Sequence, residues 1–286
     1  MKVGIIGLGV MGIEMAKHLQ KTGDHEVLSF DVDASAVQEA AKHGTAVATG
    51  PADIAAQAEI TIIAVATGGQ VIDVLNQMKE ASDAETVAVV SSTVHPEIID
   101  DASEIISGTG IRLVDSPVVF GSRGARDGTL LCLCGGDEAD IEYIRPVMMA
   151  FSRDVLRVGE LGHGQLTKSV NAMLHWAHCV SNFEALLLAK RYGMDAQKLR
   201  EVLIQCPGTN GTLERWDDTK LTWQEKDMDI VMDLAQKCGV TMPLFGQVDQ
   251  LVKLITPEDI ADLLYGESAS YIGHTVSANG VTRTGG

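Results

Sequence analysis

Lys168 and Asn171 stand three residues apart in the stretch Gly162-His163-Gly164-Gln165-Leu166-Thr167-Lys168-Ser169-Val170-Asn171. The pattern from Gln165 onward is helical, and helical spacing puts both side chains on one face. His175 and His178 extend that face by a further turn or two. A lysine partly shielded from water has its pKa lowered toward the working range, so it can give or take a hydroxyl proton. Considered by itself, Lys168 reads as a solvated helix charge. Its companions elsewhere in the chain give it a different weight.

The first of these lies in MKVGIIGLGVMGIEMAKHL, where Gly7, Gly9 and Gly12 separate a short apolar run from an amphipathic helix pattern. The first glycine of such a loop makes a tight turn. The second lets backbone approach a pyrophosphate, and the third lets the helix pack on the strand. Phosphates then rest on free N–H groups at the helix N-terminus. A lone Gly-x-Gly-x-x-Gly is weak evidence. Here a strand precedes it, a helix follows it, and Asp31 closes the second strand in SFDVD. The four features together predict a dinucleotide site. Asp31 can accept hydrogen bonds from both adenosine ribose hydroxyls and would repel a 2′-phosphate. No arginine occurs between Val32 and Ala36, so NAD is expected over NADP. The competing role for Asp31 is to cap the helix near Ala34, which Asp33 could do instead.

These residues need a scaffold, and the apolar patterning describes one. VGIIG, EVLSFD, ITIIAVA, TVAVVSS, RLVDSPVV, TLLCLCG and DVLRVG read as strands. Helical patterns separate the first five, in GIEMAKHLQKTG, ASAVQEAAKHG, PADIAAQAE, GQVIDVLNQMKEAS and HPEIIDDASEIISG. Such alternation predicts an α/β Rossmann-type domain over residues 1–161, with a parallel sheet and helices on both faces. From 162 to 286 the patterns are helical. They begin with one long interdomain helix, so an all-α C-terminal domain for substrate and oligomerisation is expected, with the active site in the cleft between the two domains. The tail ESASYIGHTVSANGVTRTGG is small and polar, and is expected to be loose or to lie on a partner subunit. Exposed apolar surface, including LLLA at 186–189, predicts a homodimer or homotetramer through the helical domain.

Composition narrows the partner. The chain has 286 residues, and 39 acidic against 22 basic side chains give a net charge of -17. A polyanion of this kind repels nucleic acid and anionic membranes, which leaves a small molecule as the expected partner. No apolar run reaches the ~18 residues of a membrane span. The N-terminal run breaks at glycines too early for a signal peptide. Cys132, Cys134, Cys179, Cys206 and Cys238 lack metal-ligand spacing and are expected to be reduced, mostly buried thiols of a cytoplasmic protein. No metal is expected, because His175 and His178 have no accompanying third ligand motif.

Further motifs stand at strand ends: Ser91-Ser92-Thr93-Val94-His95-Pro96, Asp115-Ser116-Pro117-Val118-Val119-Phe120-Gly121, and later Lys226-Asp227-Met228. In order and combination with GLGVMG, these resemble the β-hydroxyacid dehydrogenases, the family of 3-hydroxyisobutyrate dehydrogenase and short relatives of 6-phosphogluconate dehydrogenase. The resemblance covers nearly the whole chain. It implies an NAD-dependent oxidoreductase that interconverts a small β-hydroxy acid, or a related alcohol, with its oxo form by hydride transfer. It implies Lys168 as general acid/base and Asn171 as the residue that orients substrate. The implied cofactor set is Gly7, Leu8, Gly9, Val10, Met11 and Gly12, with Asp31, then Val65, Ala66 and Thr67, and finally Thr93 and Lys226. The implied substrate set is Ser92, Thr93, Val119, Phe120, Gly121, Arg123 and His175.

The chain departs from the family in one segment. The family's substrate loop reads D-x-P-V-S-G-G, and here Val119 and Phe120 replace the serine and first glycine. A hydroxyl that helps hold the substrate carboxylate is lost, and bulk is added. Ala172 also replaces a second asparagine often found in the family. Arg123 can supply a bidentate carboxylate contact in place of the serine, or be a solvated loop arginine. His175 reads as a wall of the substrate cleft or as core, and His95 as a substrate contact or a turn residue. Trp176 and Trp223 read as interdomain or subunit packing. Three other activities fit the same outline: imine reduction, oxidative decarboxylation, and NAD binding without catalysis. The intact Lys168 argues against the first, Lys168 with Asn171 against the third, and the short C-terminal region against the second.

Overall fold

The computed structural model describes residues 1–81 and 85–277. The chain opens with β1 (Lys2–Ile6), α1 (Val10–Thr22), β2 (Glu26–Phe30), α2 (Ala34–Lys42), β3 (Ala46–Val47), α3 (Pro51–Gln57) and β4 (Ile60–Ile63). It continues with α4 (Gly68–Met78), β5 (Val87–Val90), α5 (Pro96–Ile106), β6 (Arg112–Asp115), β7 (Val118–Val119) and α6 (Gly121–Asp127). Next come β8 (Leu130–Gly135), α7 (Glu138–Met148), β9 (Ser152–Gly159) and the long α8 (His163–Arg191). The remainder holds α9 (Ala196–Leu203), α10 (Gly211–Glu214), α11 (Gln224–Cys238), α12 (Pro243–Val252), α13 (Pro257–Tyr265), β10 (Ser268–Tyr271) and β11 (His274–Ser277).

Strands β3-β2-β1-β4-β5-β6 lie side by side in that order, all parallel. Side chains alternate across the sheet with period two, and both sides are apolar. Val3, Ile5, Ile60, Ile62, Val87 and Val89 face one core with Met15 and Leu19 of α1 and Ile141 and Ile144 of α7. Ile6, Ile63, Ala88 and Val90 face the other, with Ile54 of α3, Leu75 of α4 and Ile99 of α5. Each fully buried Val, Leu, Ile or Met among them contributes roughly 1.5–3 kcal/mol. Cys132 and Cys134 belong to the first core. Cys179 is also buried, Cys206 is half-buried and Cys238 is exposed.

The sheet is not parallel throughout. β8 runs antiparallel to β6 and β7, then pairs parallel with β9. The connection from β7 to β8 is only α6 and its flanks, too short for the crossover of a dozen or more residues that parallel pairing needs. The β8–β9 connection holds α7 and does make that crossover. α7 is poorly marked in the sequence because Pro146 lies inside it. The expected strand RLVDSPVV is broken at Ser116-Pro117 into β6 and β7.

Contacts divide the chain into two compact units, Met1–Lys168 and the residues from Ser169 onward, with the division inside α8. In the second unit α8 buries Ala172, Trp176, Cys179, Phe183 and Leu186 with Trp216, Met228, Val252 and Leu263. Trp176 is a core residue of this unit, and its Nε1 donates to Asp227 at 3.2 Å. The LLLA segment is not exposed throughout: Leu186 is fully buried and Leu188 is exposed. Lys190 is buried, and its Nζ donates to the carbonyls of Leu263 and Gly266 at the end of α13.

The expected loose tail is in part a hairpin. β10 and β11 pair antiparallel from Ser268↔Ser277 to Tyr271↔His274. The turn is Ile272-Gly273, both with positive φ, 49° and 76°. That backbone matches the twist of a two-residue hairpin. Tyr271 anchors it, its ring tilted against that of Phe183 with centroids 5.0 Å apart and its hydroxyl donating to Glu184 at 3.0 Å. The expectations for residues 278–286, and for a helix reaching Ser82, fall outside the described residues.

Candidate active site

Gly7 follows β1 with φ +93°, and a Cβ there would lie 2.5 Å from the Ala64 carbonyl oxygen. Gly12 sits in the first turn of α1, and a Cβ there would run into the Gly7 carbonyl. Gly9 is the N-cap of α1 and has no heavy atom within 4 Å of where its Cβ would be. Two glycines are therefore required by the protein's own packing, while Gly9 borders open space. No side chain caps this end of α1, and no acidic residue lies in its first turn. Leu8, Val10 and Met11 complete the loop, with Val10 largely exposed. A bare loop beside an uncapped helix N-terminus fits a pyrophosphate.

Asp31 stands against this loop. Its Oδ2 accepts from Leu8 N–H at 2.6 Å and its Oδ1 from Asp33 N–H at 2.9 Å. Asp33, not Asp31, caps α2, accepting from Ser35 N–H at 2.8 Å. A carboxylate has about four acceptor positions, so Asp31 keeps capacity for ribose hydroxyls.

The next two strand ends meet beside the loop. Ser92 is buried and donates from Oγ to the Val65 carbonyl at 2.8 Å. Its hydroxyl thus supports the 65–67 segment. Thr67 caps α4 in a reciprocal box with Gln70, whose Oε1 also accepts from Ala66 N–H at 3.0 Å. Thr93 is half-buried and follows directly. His95 caps α5, accepting on Nδ1 from Glu97 N–H at 3.2 Å.

Asp115 ends β6 and is fully buried. It accepts from Gly162 N–H on Oδ1 and from Gln165 N–H on Oδ2, each at 2.8 Å. Burial pushes its carboxyl up to about 6, while these two backbone N–H groups pull it down. It is therefore mostly ionised at neutral pH and caps the start of α8. Gln165 is fully buried as well. It donates from Nε2 to the Ser92 carbonyl at 2.8 Å and accepts on Oε1 from Val94 N–H at 3.0 Å. Lys168, half-buried, lies one turn further along α8, and the exposed Asn171 one turn beyond that. In the second unit, half-buried His175 pairs its Nδ1 with Thr212 Oγ1 at 2.9 Å, and half-buried Lys226 lies in the first turn of α11.

The altered segment has a local peculiarity. Val119 is buried in β7, and Phe120 follows with φ +81°, in the left-handed region. Gly121 is left-handed too, at φ +57°. A bulky side chain at positive φ is a genuine outlier, and a glycine at 120 would adopt this backbone freely. The Phe120 ring carries the guanidinium of Arg153 at 4.1 Å from its centroid. Arg123 is exposed, with Nε 3.6 Å from Asp127 Oδ2. The sequence alone assigns no functional role to Arg153 or Gln165. Nothing in the spacing links Arg153 on β9 to Phe120, whereas Gln165 could have been noticed as a polar residue in the Gly-x-Gly-x-x-x-Lys turn.

Comparison with known proteins decides the family. A model of the NAD binding domain of 6-phosphogluconate dehydrogenase matches residues 2–159. A second, for the NAD-binding of NADP-dependent 3-hydroxyisobutyrate dehydrogenase, matches residues 162–263. The chain belongs to the β-hydroxyacid dehydrogenase family. This family member is 31% identical over 263 residues to an uncharacterized oxidoreductase of Shewanella frigidimarina, covering 87% of this chain and 90% of that protein. It is 29% identical over 264 residues to 2-(hydroxymethyl)glutarate dehydrogenase of Eubacterium barkeri, covering 87% of each. Among solved structures it is similar to Mycobacterium tuberculosis 3-hydroxyisobutyrate dehydrogenase with L-serine, with a TM-score of 0.82 and 26% identity over 92% of this chain and 99% of that one. As a β-hydroxyacid dehydrogenase family member it is an oxidoreductase with a nicotinamide cofactor. Among the described residues no helix is long and apolar enough to cross a membrane. Nor, among them, do three or more His, Cys, Asp or Glu residues gather to hold a metal ion.

Proposed function

We propose that the protein interconverts a small β-hydroxy acid, or a related alcohol, with its oxo form, using NAD. The observation that carries this reading is the hydrogen-bonded tie of the first turn of α8, with Lys168 just beyond it, to the ends of β5 and β6. Those strand ends lie on the sheet edge that also carries the glycine loop, the usual ligand edge of such sheets. The nicotinamide, when bound, takes up or supplies the hydride. Gly7, Gly9 and Gly12 give the pyrophosphate its seat, and Asp31 holds the ribose and disfavours a 2′-phosphate.

Lys168 performs the proton half of the reaction. Its neutral Nζ takes the hydroxyl proton as the alcohol carbon loses hydride, and its ammonium returns a proton to the carbonyl oxygen in reduction. Asn171 is assigned to orient the same oxygen, Lys226 to bind cofactor and His175 to bind substrate. Val119 and Phe120 take space a small carboxylate would use, which favours a substrate with an apolar or aromatic part. We also infer a cytoplasmic homo-oligomer, from the cysteine usage and the exposed Leu188 on α8.

The test is a panel of 3-hydroxyisobutyrate, 2-(hydroxymethyl)glutarate, L-serine and aromatic β-hydroxy acids with NAD, followed by NADH absorbance. Turnover on at least one is expected. Lys168→Ala should lower kcat by roughly 10²–10⁴, the usual share of a general acid or base, while NADH affinity stays near the parent value. NADH binding without turnover on any panel member would favour a non-catalytic role.

A further inference from the structure

We propose that Asp115 and Gln165 form a buried latch that positions Lys168 for proton transfer. The proposal rests on Lys168 being the acid–base group.

Among the described residues, seven α-helices begin on a local side chain: Asp33, Thr67, His95, Asp137, Asp195, Asn210 and Thr256 each cap the helix they precede. α8 is held differently. Asp115 of β6, far away in sequence, accepts from Gly162 N–H just before the helix and from Gln165 N–H in its first turn, while His163 N–H goes to the nearby Glu160 carbonyl. A local cap fixes where a helix starts. A cap from another element also fixes where the helix lies on the sheet. The carboxylate is fully buried, and a buried ion is costly unless its acceptor positions are filled. Room for it comes from glycines, since a Cβ on Gly135 or on Gly164 would run into the Asp115 carboxylate.

Gln165 makes the tie two-sided. Its buried amide uses one end on the Ser92 carbonyl and the other on Val94 N–H, so it spans the Thr93 turn. The helix turn before Lys168 is therefore fastened to the end of β6 through backbone and to the end of β5 through a side chain. Lys168 is three residues from Gln165, so any slide or rotation of that turn moves its Nζ. Displacements of about 1 Å can cost ~10²-fold in rate where reacting groups must meet.

The experiment uses the full-length protein with NAD and the panel hydroxy acid of highest kcat/KM. Three latch variants are made, Asp115→Asn, Gln165→Met and the near-isosteric Gln165→Glu, each also combined with Lys168→Ala. The latch predicts that each single variant that folds lowers kcat at least about tenfold while its NADH Kd stays within about twofold, and that none lowers kcat further once Lys168 is gone. Such non-additivity marks groups acting through one another. A general loss of folding would instead lower NADH binding and multiply with Lys168→Ala. Near-parent kcat in Asp115→Asn and Gln165→Glu, or full additivity with Lys168→Ala, would overturn the proposal while leaving the acid–base reading intact. Normal turnover of Lys168→Ala alone would end the acid–base reading, and the latch with it.

Discussion

Gly7 and Phe120 hold similar left-handed backbone, at φ +93° and +81°, each just beyond a strand. At Gly7 the residue type matches the backbone, and the neighbouring Ala64 carbonyl leaves no room for anything larger. At Phe120 a bulky side chain occupies the same kind of turn, with Arg153 over its ring. One turn is built at no steric cost. The other carries local strain of order 1–3 kcal/mol, which persists only where the surroundings hold it. The contrast separates what every member of such a fold requires, a tight phosphate turn, from what this chain has made its own. The strained turn lies in the segment proposed to face substrate, where Val119 and Phe120 take space a small carboxylate would use.

The largest expected effect is at the conforming turn. Gly12→Val should weaken NADH binding by at least ~100-fold, about 2.7 kcal/mol, because its side chain meets the Gly7 carbonyl. Gly9→Ala sharpens the point. Nothing in the protein obstructs that Cβ, so Tm should hold while the NADH Kd rises about tenfold, ~1.4 kcal/mol. A titration with unchanged Kd would show that Gly9 does not face the pyrophosphate. Asp31→Ser should narrow the preference for NAD over NADP by about tenfold in kcat/KM. Equal use of both cofactors by the parent protein would refute the assignment of Asp31.

At the strained turn the effects are smaller and of a different kind. Val119→Ser with Phe120→Gly should raise activity on 3-hydroxyisobutyrate and lower it on aromatic panel members. An unchanged substrate ranking would make Phe120 structural. The smallest effect is a comparison within one site. Phe120→Gly should be more stable than Phe120→Ala by ~1 kcal/mol, since alanine is penalised in left-handed backbone and glycine is not. Urea unfolding midpoints of the two variants read this directly, and a more stable alanine variant would mean the backbone has relaxed out of that region.

Residue sequence by itself determined the glycine loop, a parallel sheet holding β1, β2, β4, β5 and β6, and a largely helical second half, but not the strand order or the short β3. Each of these rests on a local rule: a turn that only glycine can make, a side-chain period of two or of 3.6, a carboxylate at a strand end. Tertiary structure decided the rest. It turned β8 antiparallel, folded the tail from Ser268 to Ser277 into a hairpin on Phe183, and sent Trp176 into the helical core to meet Asp227. It also put Asp115 on the first turn of α8, Gln165 across the Thr93 turn, and Arg153 over Phe120. The physical reason is common to all of these. A buried polar group must find a partner, but periodicity and composition describe only the segment they are read from. The partner's identity is settled when distant segments pack, because only then is it known which donors and acceptors have been taken from water together.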